Sequence, residues 1–285
     1  MTAHDPTSTR RPIVLLTGAS AGLGATIART LAHTRRIGTI VLTARRLERL
    51  EQLARELAGL DPSLEIVTIT ADLTDPDASQ RLARATLERT GGLDVLINNA
   101  GLGLPTLFAD AAPEQLKDQL AVNLTAPLLL TRHLLPSLIE RKGTIINIGS
   151  AITCIANSAL GAYGATKAGL AYWNDALRRE LMETGVKVCL VEPGPIHTEF
   201  MDALAARLPE GGAPDPILNN AKPWMTARVE DVAERVVRLI ESPRRRVSYT
   251  RRFVWTFRVL GAICWAMPAL GDWFVVKLSP RRRHT

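Results

Sequence analysis

The octapeptide AYGATKAG (162–169) sets Tyr163 and Lys167 four residues apart among small side chains. On a helix, positions i and i+4 share a face about one turn apart. A phenol beside an ammonium there is a candidate proton donor and acceptor, because a nearby cation favours the phenolate. The pair also reads as a half-buried tyrosine next to a solvated lysine. What else the chain brings to the same place decides between the two.

Several polar or glycine-rich stretches compete for that place. TGASAGLG (17–24) carries Gly18, Gly22 and Gly24 in GxxxGxG spacing. Glycines there allow a tight turn and let backbone N–H groups reach a pyrophosphate at a helix start. Gly18, Ser20, Gly22, Leu23 and Gly24 are therefore the candidate phosphate cradle. TARRLERL (43–50) puts Ala44, Arg45 and Arg46 where an NAD site usually has an acid. Two guanidinium groups suit a ribose 2′-phosphate instead, so NADP(H) is the preferred cofactor and NAD(H) the second option. In ADLTD (71–75), Asp72 and Leu73 are candidates for the adenine end, and Asp72 reads equally as a helix cap. Asn123 interrupts an apolar helical stretch, as a hydrogen-bond hub or part of a proton path. GTIINIGS ends at Ser150, thirteen residues before Tyr163.

The elements that must position these residues are legible as alternating runs. IVLLT (13–17), TIVLT (39–43), IVTIT (66–70), LDVLIN (93–98), TIINIG (144–149) and VKVCLVE (186–192) are short, apolar and rich in β-branched residues. Such runs are buried strands of a covered parallel sheet. Helical patterns lie between them, over 22–34, 46–59, 76–90, 113–140, 161–184 and 229–241. The alternation predicts an α/β fold with a doubly wound parallel sheet, Rossmann-like, in one domain. Ligands of such sheets sit at the carboxyl ends of the strands. The glycine turn, Asn123, Ser150 and the Tyr163–Lys167 pair all map to that edge, which favours the chemical reading of the octapeptide.

With TGASAGLG, NNAG (98–101), Asn123, Ser150, YGATK and PGPIHT (193–198) in this order and spacing, residues 11–240 resemble the short-chain dehydrogenase/reductase family, in its NADP-preferring branch. The resemblance implies that Tyr163 is the general acid/base. It implies that Lys167 lowers the pKa of Tyr163 and binds the nicotinamide ribose. Ser150 would orient the substrate oxygen, and Asn123 would hold a water in a proton relay. Pro193, Ile196 and Thr198 would meet the nicotinamide, Asn99 would pack beside the cofactor, and Asp72 would bind adenine. It also implies a homodimer or homotetramer packed through 113–140 and 161–184. Ala21 stands where some NADP-preferring members are basic, which leaves the 2′-phosphate to Arg45 and Arg46.

Charge divides the chain unevenly. Of a net +7, the segment from Pro243 to Thr285 carries +9, from ten basic residues and Asp272, and the remainder carries −2. A body of that sign argues against a nucleic-acid partner. Cys154, Cys189 and Cys264 lie far apart, no CxxC occurs and the histidines do not cluster, so neither a disulfide framework nor a metal site is expected. The reading is a polar N-terminal arm over 1–10, a catalytic domain over 11–250 and a basic, apolar, Trp-rich appendage over 251–285. Residues 199–222 read as a lid over the substrate, with Met201, Leu204 and Leu208 as an apolar wall for a lipophilic ligand. The tail, with Trp255, Trp265 and Trp273, reads as lying at a membrane surface or as packing on a partner subunit or on its own core. The expected protein is cytoplasmic or peripheral at the cytoplasmic face of a membrane. It interconverts a small carbonyl and a secondary alcohol. The alternatives are a membrane-tethered, non-catalytic NADP(H) sensor and a sugar-nucleotide epimerase.

Overall fold

The computed structural model describes residues 10–154, 156, 160–196, 226–248 and, beyond these, 255–256, 258–259, 261–262 and 266–267. Among them, seven strands form one sheet: β1 (Ile13–Thr17), β2 (Thr39–Ala44), β3 (Glu65–Thr70), β4 (Val95–Asn98), β5 (Thr144–Ile148), β6 (Lys187–Glu192) and β7 (Arg246–Ser248). Their order is β3-β2-β1-β4-β5-β6-β7, and every pairing is parallel. The chain reverses its winding direction between β1 and β4. A crevice therefore opens there at the carboxyl ends of the strands.

Each strand feeds both faces, because side chains alternate with period two. Val14, Leu16, Ile40, Leu42, Ile97 and Ile146 face α1 (Gly22–Thr34), α2 (Leu47–Leu60) and α7 (Val229–Glu241). Leu15, Val41, Leu96, Ile145 and Val188 face α3 (Ala78–Thr90), α5 (Ala126–Glu140) and α6 (Gly161–Glu180). Burying a Leu or Ile side chain contributes about 1.5–3 kcal/mol, so these two layers supply most of the drive to fold.

Two departures from the sequence reading have physical causes. The helix expected over 113–140 is three pieces: α4 (Pro113–Leu120), a π turn (Ala121–Thr125) and α5. Pro127 has no N–H to give the carbonyl of Asn123, four residues earlier, where an α-helix needs one. The turn widens at that point, and the N–H of Ala126 bonds to the carbonyl of Ala121. The seventh strand has only three residues, two of them polar, and carries no apolar run to betray it. Of the expected arm over 1–10, residues 1–9 lie outside the described residues, as does the expected lid over 199–222. No helix among the described residues is long and apolar enough to cross a membrane.

Candidate active site

The first turn after β1 is built for close approach. Gly18 and Gly22 have φ of +67° and +51°, the left-handed region that favours glycine. A Cβ on Gly24 would lie 2.1 Å from the carbonyl oxygen of Gly18. The N-cap of α1 is Ala21, which offers no side-chain cap, and the first turn holds no acid. Its leading N–H groups have no intrahelical acceptor. A glycine cradle with uncapped donors fits a pyrophosphate. Arg45 and Arg46 are exposed at the end of β2, and Arg46 donates to the Ser20 hydroxyl at 3.4 Å. That places a guanidinium on the rim of the cradle, as a 2′-phosphate requires.

Several expected cofactor residues also have structural duties. The Asn99 amide donates to the carbonyls of Thr17 and Gly18 at 2.9 and 3.2 Å. The Thr17 hydroxyl accepts from the main-chain N–H groups of Asn99 and Ala100. Asn99 is thus a staple between the NNAG turn and the glycine turn. Asp72 accepts from the N–H and hydroxyl of Thr74, at 3.1 and 2.8 Å, and shapes the turn after β3. Leu23 and Leu73 pack against the two core layers. The carbonyl of Pro193 accepts from the N–H of Ala151, and Ile196 is buried in a bridge to Ala227, so both hold the loop after β6. Thr198 lies outside the described residues.

The polar residues named for chemistry do converge. Tyr163 and Ser150 share a hydrogen bond through their hydroxyls. Lys167, 4% exposed, donates from Nζ to the carbonyl of Ile148 at 2.9 Å. Its Nζ lies 5.9 Å from the centre of the Tyr163 ring. A Cβ on Gly101 would lie 3.6 Å from Asn123 Oδ1 and 3.8 Å from Lys167 Nζ, so the NNAG turn fits closely between them. Asn123 Oδ1 accepts from the N–H of Leu102, and its amide donates to the carbonyl of Leu102 and the hydroxyl of Thr166. Its side chain is fully engaged as a hub tying the NNAG turn to α6.

Burial pushes Tyr163 up to about 12, with the Ser150 hydrogen bond opposing it. Burial draws Lys167 down to about 8, and its Nζ donates to the Ile148 carbonyl. Desolvation disfavours the charged form of each group.

Sequence reasoning passed over a chain of buried amides beneath the site. Asn98 donates to Asn147 Oδ1 at 2.8 Å, and Asn147 donates to Asn174 Oδ1 at 2.9 Å. The chain runs from β4 through β5 to α6, the helix that bears Tyr163 and Lys167. Its signal was present as polar residues inside apolar strand runs.

This fold, with a glycine cradle and a half-buried Ser–Tyr pair beside a buried lysine, defines a nucleotide-dependent oxidoreductase. The short chain dehydrogenase model matches residues 12–208. The chain belongs to the short-chain dehydrogenase/reductase family. It is 35% identical over 232 residues to dehydrogenase/reductase SDR family member 7B of Mus musculus, covering 80% of this chain and 71% of that one. It is 38% identical over 190 residues to serine 3-dehydrogenase of Agrobacterium fabrum, covering 66% and 73%. A solved short-chain dehydrogenase from Burkholderia cenocepacia, in complex with NADP, superposes with a TM-score of 0.71 at 26% identity, over 84% of this chain and 95% of that one.

Proposed function

We propose that the protein interconverts a carbonyl and a secondary alcohol with NADP(H), using Tyr163 as general acid/base. The observation that carries this reading is the Tyr163–Ser150 hydrogen bond beside buried Lys167, at the carboxyl edge of the sheet. Gly18, Ser20, Gly22 and Gly24 would hold the pyrophosphate, and Arg45 with Arg46 the 2′-phosphate. The NADP complex of the Burkholderia relative supports that choice, with NAD(H) as the second option. A bound nicotinamide supplies or accepts the hydride.

The chain's own residues account for the proton. In reduction, the substrate oxygen lies between the Ser150 and Tyr163 hydroxyls. As negative charge grows on that oxygen, Tyr163 Oη gives up its proton and Ser150 donates a fixed hydrogen bond. In the oxidative direction the phenolate must form first. Both directions pass through that phenolate, so its stabilisation serves each. Lys167 Nζ lies close enough to the ring to stabilise the phenolate that reduction leaves behind.

A homo-oligomer is part of this reading. Leu120, Leu129 and Tyr172 are exposed large apolar side chains on α4, α5 and α6, and they support packing through those helices. Light scattering on the purified protein gives the mass directly. Turnover of NADPH and NADH against a panel of ketones and aldehydes tests the activity. The Tyr163→Phe variant is expected to lose turnover while keeping NADPH affinity within about threefold. Near-normal turnover in that variant refutes the assignment.

A further inference from the structure

The buried acid at the end of β6 has no part in the chemistry above. Glu192 is 1% exposed and immediately precedes Pro193. A buried carboxylate needs partners, and Glu192 has three. Ser248 donates to Oε2 at 3.0 Å, Arg246 lies 3.4 Å from Oε1, and Arg258 donates to Oε2 at 3.0 Å. Ser248 and Arg246 belong to β7. Arg258 belongs to the basic, Trp-rich appendage over 251–285.

A second contact involves no charge. The backbone of Gly261 lies against the turn Ala151–Cys154, which directly follows Ser150. A Cβ on Gly261 would stand 2.3 Å from the carbonyl oxygen of Cys154 and 3.5 Å from its carbonyl carbon. Only glycine fits that approach. The guanidinium of Arg258 also reaches the neighbourhood of the Cys154 thiol, where its charge and hydrogen bond oppose the effect of burial. Two residues three positions apart thus pin one stretch of chain at two points, on the end of β6 and on the serine turn.

The same ion-pair network reaches the helix that carries the proton donor. Arg245 and Arg246 both pair with Asp175 of α6, at 3.0 and 3.4 Å. The turn after Ser150 is itself tied to the loop after β6 through the Ala151 N–H and the Pro193 carbonyl, at 2.9 Å. These contacts connect Arg258 and Gly261 to the serine turn and to α6.

We propose that Arg258, locked on buried Glu192, and Gly261, seated on the serine turn, hold Ser150 in position from the C-terminal side of the chain. Glu192, Arg258 and Gly261 are positioning residues for Ser150. The inference rests on the oxidoreductase reading for its kinetic arm and on geometry alone for the anchor. It assigns Arg258 and Gly261 to the catalytic domain of their own chain.

The test uses the full-length chain and four variants: E192Q, R258M, R258K and G261A. R258M and G261A are expected to lower kcat for the best carbonyl by about fivefold or more, with the Kd for NADPH, read by fluorescence, within about twofold of the parent. R258K should retain more activity than R258M, since it keeps the charge. G261A is the decisive control. Alanine is the better helix former by about 1 kcal/mol, so a loss of activity there comes from the contact and not from a weakened segment. In E192Q, trypsin should cut after Arg251, Arg252 and Arg258 faster than in the parent, read peptide by peptide. Unchanged kcat and carbonyl KM in both R258M and G261A overturn the positioning role. Equal cleavage rates in parent and E192Q overturn the anchor. A parent inactive on every carbonyl with either cofactor refutes the enzymatic reading instead, and the trypsin arm still decides the anchor.

Discussion

Asn147 is the link in the amide chain whose removal has the most to break. It is fully buried, accepts from Asn98 and donates to Asn174. In Asn147→Ala the two neighbours fare differently. Asn98 keeps the hydroxyl of Thr131 at 3.3 Å as an acceptor. Asn174 keeps nothing among the described residues: its Nδ2 already has no partner, and its Oδ1 loses the only donor it has. An orphaned buried polar group costs about 1–3 kcal/mol, and the lost side-chain volume adds about 1 kcal/mol more. The expected destabilisation is about 2–4 kcal/mol, a large share of a net stability of roughly 5–15 kcal/mol. Urea unfolding of parent and variant, followed by circular dichroism, reads it as a fall in midpoint at unchanged slope. Asn174→Leu on the Asn147→Ala background then removes the orphan. The double variant should be more stable than the sum of the singles predicts, by about 1 kcal/mol or more. Strict additivity, or a single-site cost below about 0.5 kcal/mol, refutes the chain as a structural unit.

The remaining predictions concern the cofactor and pH. Gly24→Ala, which would set a methyl group 2.1 Å from the Gly18 oxygen, should weaken NADPH binding by about tenfold or more, measured by fluorescence titration with the fold checked by circular dichroism. Arg45→Ala with Arg46→Ala should raise KM for NADPH by about tenfold and leave KM for NADH nearly unchanged, in steady-state assays with each cofactor. Lys167 is depressed from 10.5 to about 8, so its contribution to stability is present above 10.5 and is lost as pH falls towards 8. Tyr163 is raised from 10.0 to about 12, so its contribution is full below 10.0 and is lost as pH rises towards 12. Cys189, raised from 9.0 to about 11 by burial, offsets the Lys167 gain above pH 9, so the urea midpoint should rise from pH 8 to 9, level off to about 10 and fall beyond it, and Lys167→Met should flatten the first limb.

Much of this was legible in the sequence because it is local. Apolar runs set six strands to within about two residues, and the glycine spacing set the turn after β1. Tyr163, Lys167 and Ser150 could be placed at one sheet edge because strand order and chain direction dictate where strands end. What escaped depends on partners far along the chain. Spacing alone puts an ammonium beside a phenol; it says nothing of how deeply both are buried, and burial set the sign of the phenol's shift. That Asn99 and Asp72 also hold turns was hidden because polar residues after a strand serve turns and ligands alike. Arg258 looked like one basic residue among many, since its acid lies 66 positions earlier.

An open sheet leaves two margins where another polypeptide could add a strand. Here a guanidinium stands at each. On the outer strand β3, Arg89 donates to the carbonyl of Thr68 at 3.4 Å. At the opposite margin β7 is three residues long and opens with Arg246, next to Arg245, both held by Asp175. Short length and fixed positive charge are what discourage edge-to-edge stacking between copies. The arginines that make the chain basic at its far end therefore stand where strand addition would begin.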